Sequence, residues 1–214
     1  MKRILSAMLI LAMAAGMVAC GSTDNGSAVT TAGGQTEQTE QTEQTDQTPE
    51  TITIQSLNAS KETADLEVPY NPERIAILDM ASLDILDALG VGDRVVGTAD
   101  TSLEYLQDYI NDDIANLGTI KEADLEAVMA CEPDVIFIGG RLSSSYDALS
   151  EIAPVVYLAT DVEIGVVESV RKNATTIASM FGLEDKVEEL MTDFSARIDE
   201  LKTVSEGKTA IVGM

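Results

Sequence analysis

The sequence predicts an α/β fold built on a parallel-sheet core, and three observations carry that prediction. Short strand-like runs alternate with helical patterns between Arg74 and Leu158. Two of these runs, Arg74-Ile-Ala-Ile-Leu78 and Asp134-Val-Ile-Phe-Ile138, are apolar without alternation. A strand of that kind is buried on both faces, which requires a sheet covered on both sides. Beyond Glu163, apolar residues recur three or four apart, which is the period of long amphipathic helices.

The elements follow in order. Lys2 and Arg3 precede a short apolar stretch from Ile4 to Gly16, and Met17-Val18-Ala19 sets small residues before Cys20. The stretch is too short to span a bilayer comfortably and no basic flank follows it, so it reads as an export signal. We expect residues 1–19 to be a lipoprotein signal peptide, cleaved so that Cys20 carries lipid on the extracytoplasmic face of the cell membrane. Residues 20–50 are Gly, Ser, Thr, Gln and acid, with a near-repeat of Thr-Glu-Gln from Thr36 to Thr48. Such a segment buries too little apolar surface to order itself and reads as an extended acidic tether.

Thr51 to Leu57 alternates with period two and is rich in β-branched residues, a strand signal. Asn58-Ala59-Ser60 can turn, and Lys61 to Val68 returns as a partner strand. Pro69 and Pro72 punctuate the chain before the apolar strand at Arg74–Leu78. Met80, Leu83, Leu86 and Leu89 share one helical face, and Gly90 is placed to end that helix. Arg94 to Gly97 reads as a strand and Ser102 to Ile110 as a helix. Asp124 can cap a helix through Ala130, which Pro133 prevents from continuing. The strand at 134–139, a helix over Ser144–Glu151 and a strand at Val155–Leu158 complete a domain at 51–160.

Residues 161–206 read as a helical segment. Val167, Val170, Ala174, Ile177 and Met180 form one stripe, and Leu183, Val187, Leu190, Phe194, Ile198 and Leu201 continue it past Gly182. An apolar stripe of this kind is expected to pack against the domain before it or across two domains. Residues 207–214 begin like a core strand, expected to open a further domain.

Composition narrows function. The formal charge is −24, with 13 basic residues, which opposes binding to a nucleic-acid backbone. There is no histidine, so Ser-His-Asp catalysis and His-linked zinc sites have no basis. Of two cysteines, Cys20 is assigned to lipid, leaving Cys131 as a small buried hydrophobe. No glycine pair fits a Walker or dinucleotide loop. Asp84 and Asp87 lie on a helix and are expected to be solvated, and Asp79 is expected to cap the Met80 helix.

Gly139-Gly140-Arg141 falls just past the carboxyl end of a central strand, where ligands collect in open α/β sheets. Arg141 offers a rigid fork of donors to oxyanions, and the hydroxyls of Ser143, Ser144, Ser145 and Tyr146 follow. Lys121, in the polar loop Asn116–Asp124, is a second cation, with Glu122 beside it. From the residues alone, a tight turn with a solvated arginine explains the Gly-Gly-Arg run equally well.

The order and spacing of several runs resemble the periplasmic-binding-protein lipoproteins of iron–siderophore ABC importers. These runs include Val68-Pro-Tyr-Asn-Pro-Glu-Arg-Ile-Ala-Ile-Leu-Asp79, Ala115-Asn-Leu-Gly-Thr-Ile-Lys121 and Glu132-Pro-Asp-Val-Ile-Phe-Ile-Gly-Gly-Arg141. The resemblance extends over 51–214 and looks nearest to the ferric-catecholate subgroup. It implies two α/β lobes joined by a long helix, with 51–160 as the amino-terminal ligand-binding lobe. On that pattern 161–206 is the interlobe helical segment and 207–214 the first strand of a carboxy-terminal lobe largely absent from this sequence. Lys121 and Arg141 then face the ligand, a ferric siderophore whose iron is held mainly by the siderophore, with no other cofactor. Glu126 becomes the candidate acid for docking onto an ABC permease, whose ATPase powers import. The resemblance implies a monomer that performs no covalent chemistry. Cobalamin, haem and hydroxamate siderophores stay open as ligands. A tethered hydrolase or a structural surface module are the readings outside this class.

Overall fold

The computed structural model describes residues 49–209. The expected signal peptide, Cys20 and nearly all of the expected tether lie outside the described residues, as does most of the strand expected at 207–214. Residues 207–209 form a turn and coil.

The chain begins with β1 (Thr51–Leu57) and β2 (Thr63–Pro69), an antiparallel hairpin. Asn58 organises its loop, with the side-chain oxygen accepting from the backbone amides of Ser60 and Glu62 at 2.9 and 3.0 Å. The alternation then runs β3 (Ile75–Leu78), α1 (Met80–Leu89), β4 (Val95–Thr98) and β5 (Ala115–Asn116). A small antiparallel hairpin of β6 (Gly118–Thr119) and β7 (Glu122–Ala123) leads into α2 (Leu125–Ala130). β8 (Val135–Ile138), α3 (Tyr146–Ser150) and β9 (Val155–Tyr157) follow, then α4 (Val166–Ser179) and α5 (Glu184–Ser205).

The expected parallel sheet is present. Its five strands stand in the order β5-β4-β3-β8-β9, every pair parallel. Alternate residues serve two cores. Ile75, Ile77, Val135, Phe137 and Val156 pack with Leu83, Leu86, Ile177 and Val187 from α1, α4 and α5. Ala76, Leu78, Ile136, Ile138 and Tyr157 pack on the other side with Val128, Leu142 and Leu149. This double covering is why the strand sequences show no polar alternation.

The capping signals work as read. The Asp79 carboxylate accepts from the Ser82 amide at 3.0 Å and from its hydroxyl at 2.9 Å. Gly90 ends α1 at φ +75°, and Lys186 of α5 donates to the Leu89 carbonyl there at 2.8 Å. The β1–β2 hairpin lies along the free edge of β9. There the Ser56 hydroxyl accepts from the Tyr157 amide at 2.9 Å and its hydrogen faces the Leu57 and Tyr157 carbonyls at 3.1 and 3.4 Å.

Three expectations change. Ser102–Ile110 does not form an α-helix. Glu104–Tyr109 is a 3-10 helix, whose three-residue turn buries Leu106 and Tyr109 together. The one long helix implied by the resemblance is two helices, separated at Met180–Leu183 with the break at Gly182. Gly182 there adopts φ +66°, and the Tyr70 hydroxyl lies 2.5 Å from where a Cβ would stand. The Asn71 amide donates to the Met180 carbonyl at 2.6 Å, the Arg94 guanidinium lies 5.6 Å from the Phe181 ring centroid, and Arg171 of α4 pairs with Glu188 of α5 at 2.9 Å. The third change concerns the apolar stripe. It packs through Ala174, Ile177, Met180 and Val187, but Leu190, Phe194 and Leu201 are exposed.

Candidate functional site

Successive strands leave β3 in one direction to β4 and β5, then resume on its other side with β8 and β9. The direction reverses between β3 and β8, so the crevice at their carboxyl ends is the topological switch point where open α/β sheets bind ligands. Asp79 follows β3 there, and Gly139-Gly140-Arg141 follows β8.

Contact, not backbone conformation, explains Gly139. Neither residue has a positive φ, and Gly139 is extended at φ −103°, ψ 176°. A Cβ on Gly139 would stand 2.5 Å from the Asp79 Oδ1, and one on Gly140 would stand 3.4 Å from the Tyr157 hydroxyl. The pair therefore lies between side chains arriving from the two flanking strands. Arg141 is exposed in the first turn of the 3-10 helix Gly140–Ser145, and fully buried Leu142 fixes that turn to the core.

Lys121 occupies the two-residue turn between β6 and β7. The Thr119 hydroxyl accepts from the amides of Lys121 and Glu122 at 3.2 and 3.1 Å. Gly118 sits at φ +97°, with the Glu122 carbonyl 2.5 Å from its absent Cβ, so the tight turn needs glycine. The hairpin is tied to the same sheet edge, because the Asp100 amide beyond β4 donates to the Gly118 carbonyl at 2.9 Å. β7 also lies against the 3-10 helix of Arg141. The structure thus brings both expected cations onto neighbouring elements at one edge. Among the described residues neither forms an ion pair, Lys121 with Glu122 included.

Glu126 stands apart, exposed in the first turn of α2, and its amide donates to the capping Asp124 at 3.1 Å. Ser143 and Ser145 are half-buried beside Arg141 and Ser144 is exposed. Cys131 is buried, and burial pushes its thiol pKa up against an opposing pull from Arg74. Asp87 is exposed, as its helix position suggests, and it also accepts from the Tyr109 hydroxyl at 2.7 Å. Burial, and then the Asp87 charge, raise the pKa of Asp84. Among the described residues no group of three or more Cys, Asp or Glu could hold a metal ion. No helix among them is long and apolar enough to cross a membrane.

A model of the periplasmic binding protein family matches residues 75–213. The chain belongs to the periplasmic binding protein family. Within that family it is 38% identical over 141 residues to the petrobactin-binding protein YclQ of Bacillus subtilis, covering 65% of this chain and 44% of that one. The crystal structure of YclQ superposes with a TM-score of 0.68, at 35% identity, over 74% of this chain and 54% of that one. The probable siderophore-binding lipoprotein YfiY of Bacillus subtilis is 31% identical over 141 residues, 63% of this chain and 41% of its own. The catecholate-siderophore binding protein VctP of Vibrio cholerae gives a TM-score of 0.63 at 26% identity, over 72% of this chain and 55% of that one. The chain therefore spans about half the length of these periplasmic binding proteins.

One residue at the edge had no signal in the sequence. Nothing distinguishes Tyr157 from its apolar neighbours in β9, because the pairing that sets its hydroxyl beside Gly140 is made by tertiary structure.

Proposed function

We propose that this chain is part of an extracytoplasmic receptor that binds a ferric siderophore, of the catecholate type, and delivers it to an ABC permease. The observation that carries this reading is the convergence of Lys121 and Arg141, unpaired among the described residues, at the switch-point edge of the sheet. A ferric tris-catecholate is trianionic and presents oxygens around its metal. Two cations from neighbouring elements can pair with those oxygens, Arg141 as a planar fork and Lys121 as a movable point charge. The siderophore supplies the iron ligands, so the protein need only recognise the outside of the complex, and no bond is made or broken. The siderophore-binding relatives support the same ligand class.

In this reading 51–160 is the amino-terminal ligand-binding lobe and 161–206 the segment leading to a second lobe begun at 207–214. Glu126 is the candidate contact to an arginine of the permease, with its ATPase behind it, and lipid on Cys20 holds the receptor to the membrane. The acidic surface, at −24 overall, makes attraction of the anion a local matter of these two cations.

The test is an equilibrium titration of the complete two-lobe receptor with ferric tris-catecholate, with ferric hydroxamate and cobalamin alongside. Saturable one-to-one binding of the catecholate, weakened about tenfold or more by Arg141→Ala, supports the reading. Tight binding of another ligand with none of the catecholate overturns the ligand class.

A further inference from the structure

We propose that the Tyr157 hydroxyl is a third ligand contact, a neutral O–H donor to a metal-bound oxygen beside Arg141. This inference rests on the siderophore reading and adds to it a specificity-determining residue.

Tyr157 ends β9 and is 3% exposed, its ring in the core layer that holds Leu142 and Leu149. A buried tyrosine ring brings a hydroxyl that needs a polar partner or an opening to water. The Tyr157 hydroxyl makes no hydrogen bond among the described residues, and no fully buried side-chain oxygen there lacks a partner, so this oxygen keeps a small opening to solvent. The hydroxyl reaches Gly140, placing it at the carboxyl edge of the sheet, next in sequence to Arg141. Its backbone is also held, because the buried Ser56 hydroxyl meets both its amide and its carbonyl.

Gly140 strengthens the case. Its φ is not positive, so the backbone does not demand glycine there. A Cβ at 3.4 Å from the phenol oxygen would make ordinary contact without displacing anything, and would cover the hydroxyl. Tyr157 is 3% exposed overall, and the absence of a side chain at 140 leaves its oxygen uncovered on the side of the turn. A neutral donor suits this place. It adds direction to the recognition of an oxygen without burying another charge, and separates oxygen-faced complexes from apolar ligands of the same size.

The experiment is equilibrium dialysis of the complete two-lobe receptor against ferric tris-catecholate, read by the ligand's visible absorption so that removing a tyrosine does not alter the signal. Tyr157→Phe and Gly140→Ala should each weaken binding about three- to tenfold, the range of one neutral hydrogen bond. The double variant should bind no more weakly than the weaker single variant, because both remove the same contact. The thermal midpoint of Tyr157→Phe should match that of the parent, which separates lost contact from lost packing. Equal binding by the parent and Tyr157→Phe overturns the inference, as do effects that multiply in the double variant. If Arg141→Ala weakens binding while Tyr157→Phe does not, the siderophore reading stands and only this inference fails. A complete two-lobe receptor that binds no catecholate removes both.

Discussion

The Tyr109 hydroxyl donates to the Asp87 carboxylate at 2.7 Å, joining the 3-10 helix at 104–109 to α1. Gly92 makes room for it, since a Cβ there would stand 1.8 Å from the phenol oxygen. Burial, this hydrogen bond and the charges of Asp87, Asp108 and Asp93 all raise the Tyr109 pKa. A group held protonated in the folded state contributes stability below its unfolded pKa, about 10 for tyrosine, and that contribution is lost as pH rises beyond it. Tyr109→Phe should cost about 1.5–3 kcal/mol near neutrality, as a hydrogen bond to a charged group. Urea unfolding from pH 7 to 11 should show a smaller alkaline loss in the variant than in the parent.

Asp84 has the opposite consequence at neutral pH. Its raised pKa means that the folded protein favours the protonated carboxyl. Its favourable contribution is complete below the unfolded value, about 3.9, and disappears as pH rises through the folded one. Asp84→Asn should therefore raise the thermal midpoint slightly at pH 7, by about 1–2 °C for an exposed position. The gain should vanish near pH 3. A variant less stable than the parent at pH 7 would contradict this account.

Gly182 separates two costs that usually travel together. An alanine there would suffer both the φ of +66° and a 2.5 Å approach to the Tyr70 hydroxyl. Gly182→Ala should cost about 1–3 kcal/mol. Adding Tyr70→Phe removes the oxygen and leaves the ring carbon at 3.8 Å, an ordinary contact. Denaturant unfolding of the double variant should recover the clash but not the backbone strain.

Cys131 should behave as a buried structural thiol. Its pKa is raised and its side chain is 6% exposed, so a chain carrying Cys20→Ser should react with a disulfide reagent at pH 8 on the order of 100-fold more slowly when native than in urea. Equal rates would show that the thiol is open.

Much of this architecture is legible in the residues. The continuous apolar runs at β3 and β8 require two covered faces, and Asp79 with Gly90 marks the two ends of α1 through local hydrogen bonding alone. Local spacing also carries information that a helical reading blurs. Leu103, Leu106 and Tyr109 recur at three, the period of the 3-10 helix that forms, whereas an α-helix would drift off that face. The β6–β7 hairpin escapes notice because its strands are two residues long, too short for any alternation to register. Strand order is not local at all, so the reversal between β3 and β8 becomes visible only in the assembled sheet. The candidate site divides in the same way. Arg141 and Lys121 stand out by charge and by their place after strand signals, but their shared edge depends on Gly118 turning the hairpin toward the 3-10 helix. Asp87 is an exposed acid, and only its bond to Tyr109 is hidden from local sequence, because that partner lies 22 residues away.

α5 has 22 residues, so it is about 33 Å long, yet its buried side chains, Val187 and Met191, fall within the first eight positions. The Arg171–Glu188 pair and the Lys186 contact with the end of α1 lie in that same stretch. The helix is thus built as a cantilever, clamped at its amino end and carried outward by its own backbone ladder. The root of this helix is the elbow at Gly182, where Tyr70, Asn71 and Phe181 meet, so the firmest part of α5 is the part that joins the β2–β3 connection. Hydrogen exchange should trace this gradient, slow around Val187 and progressively faster toward Ser205.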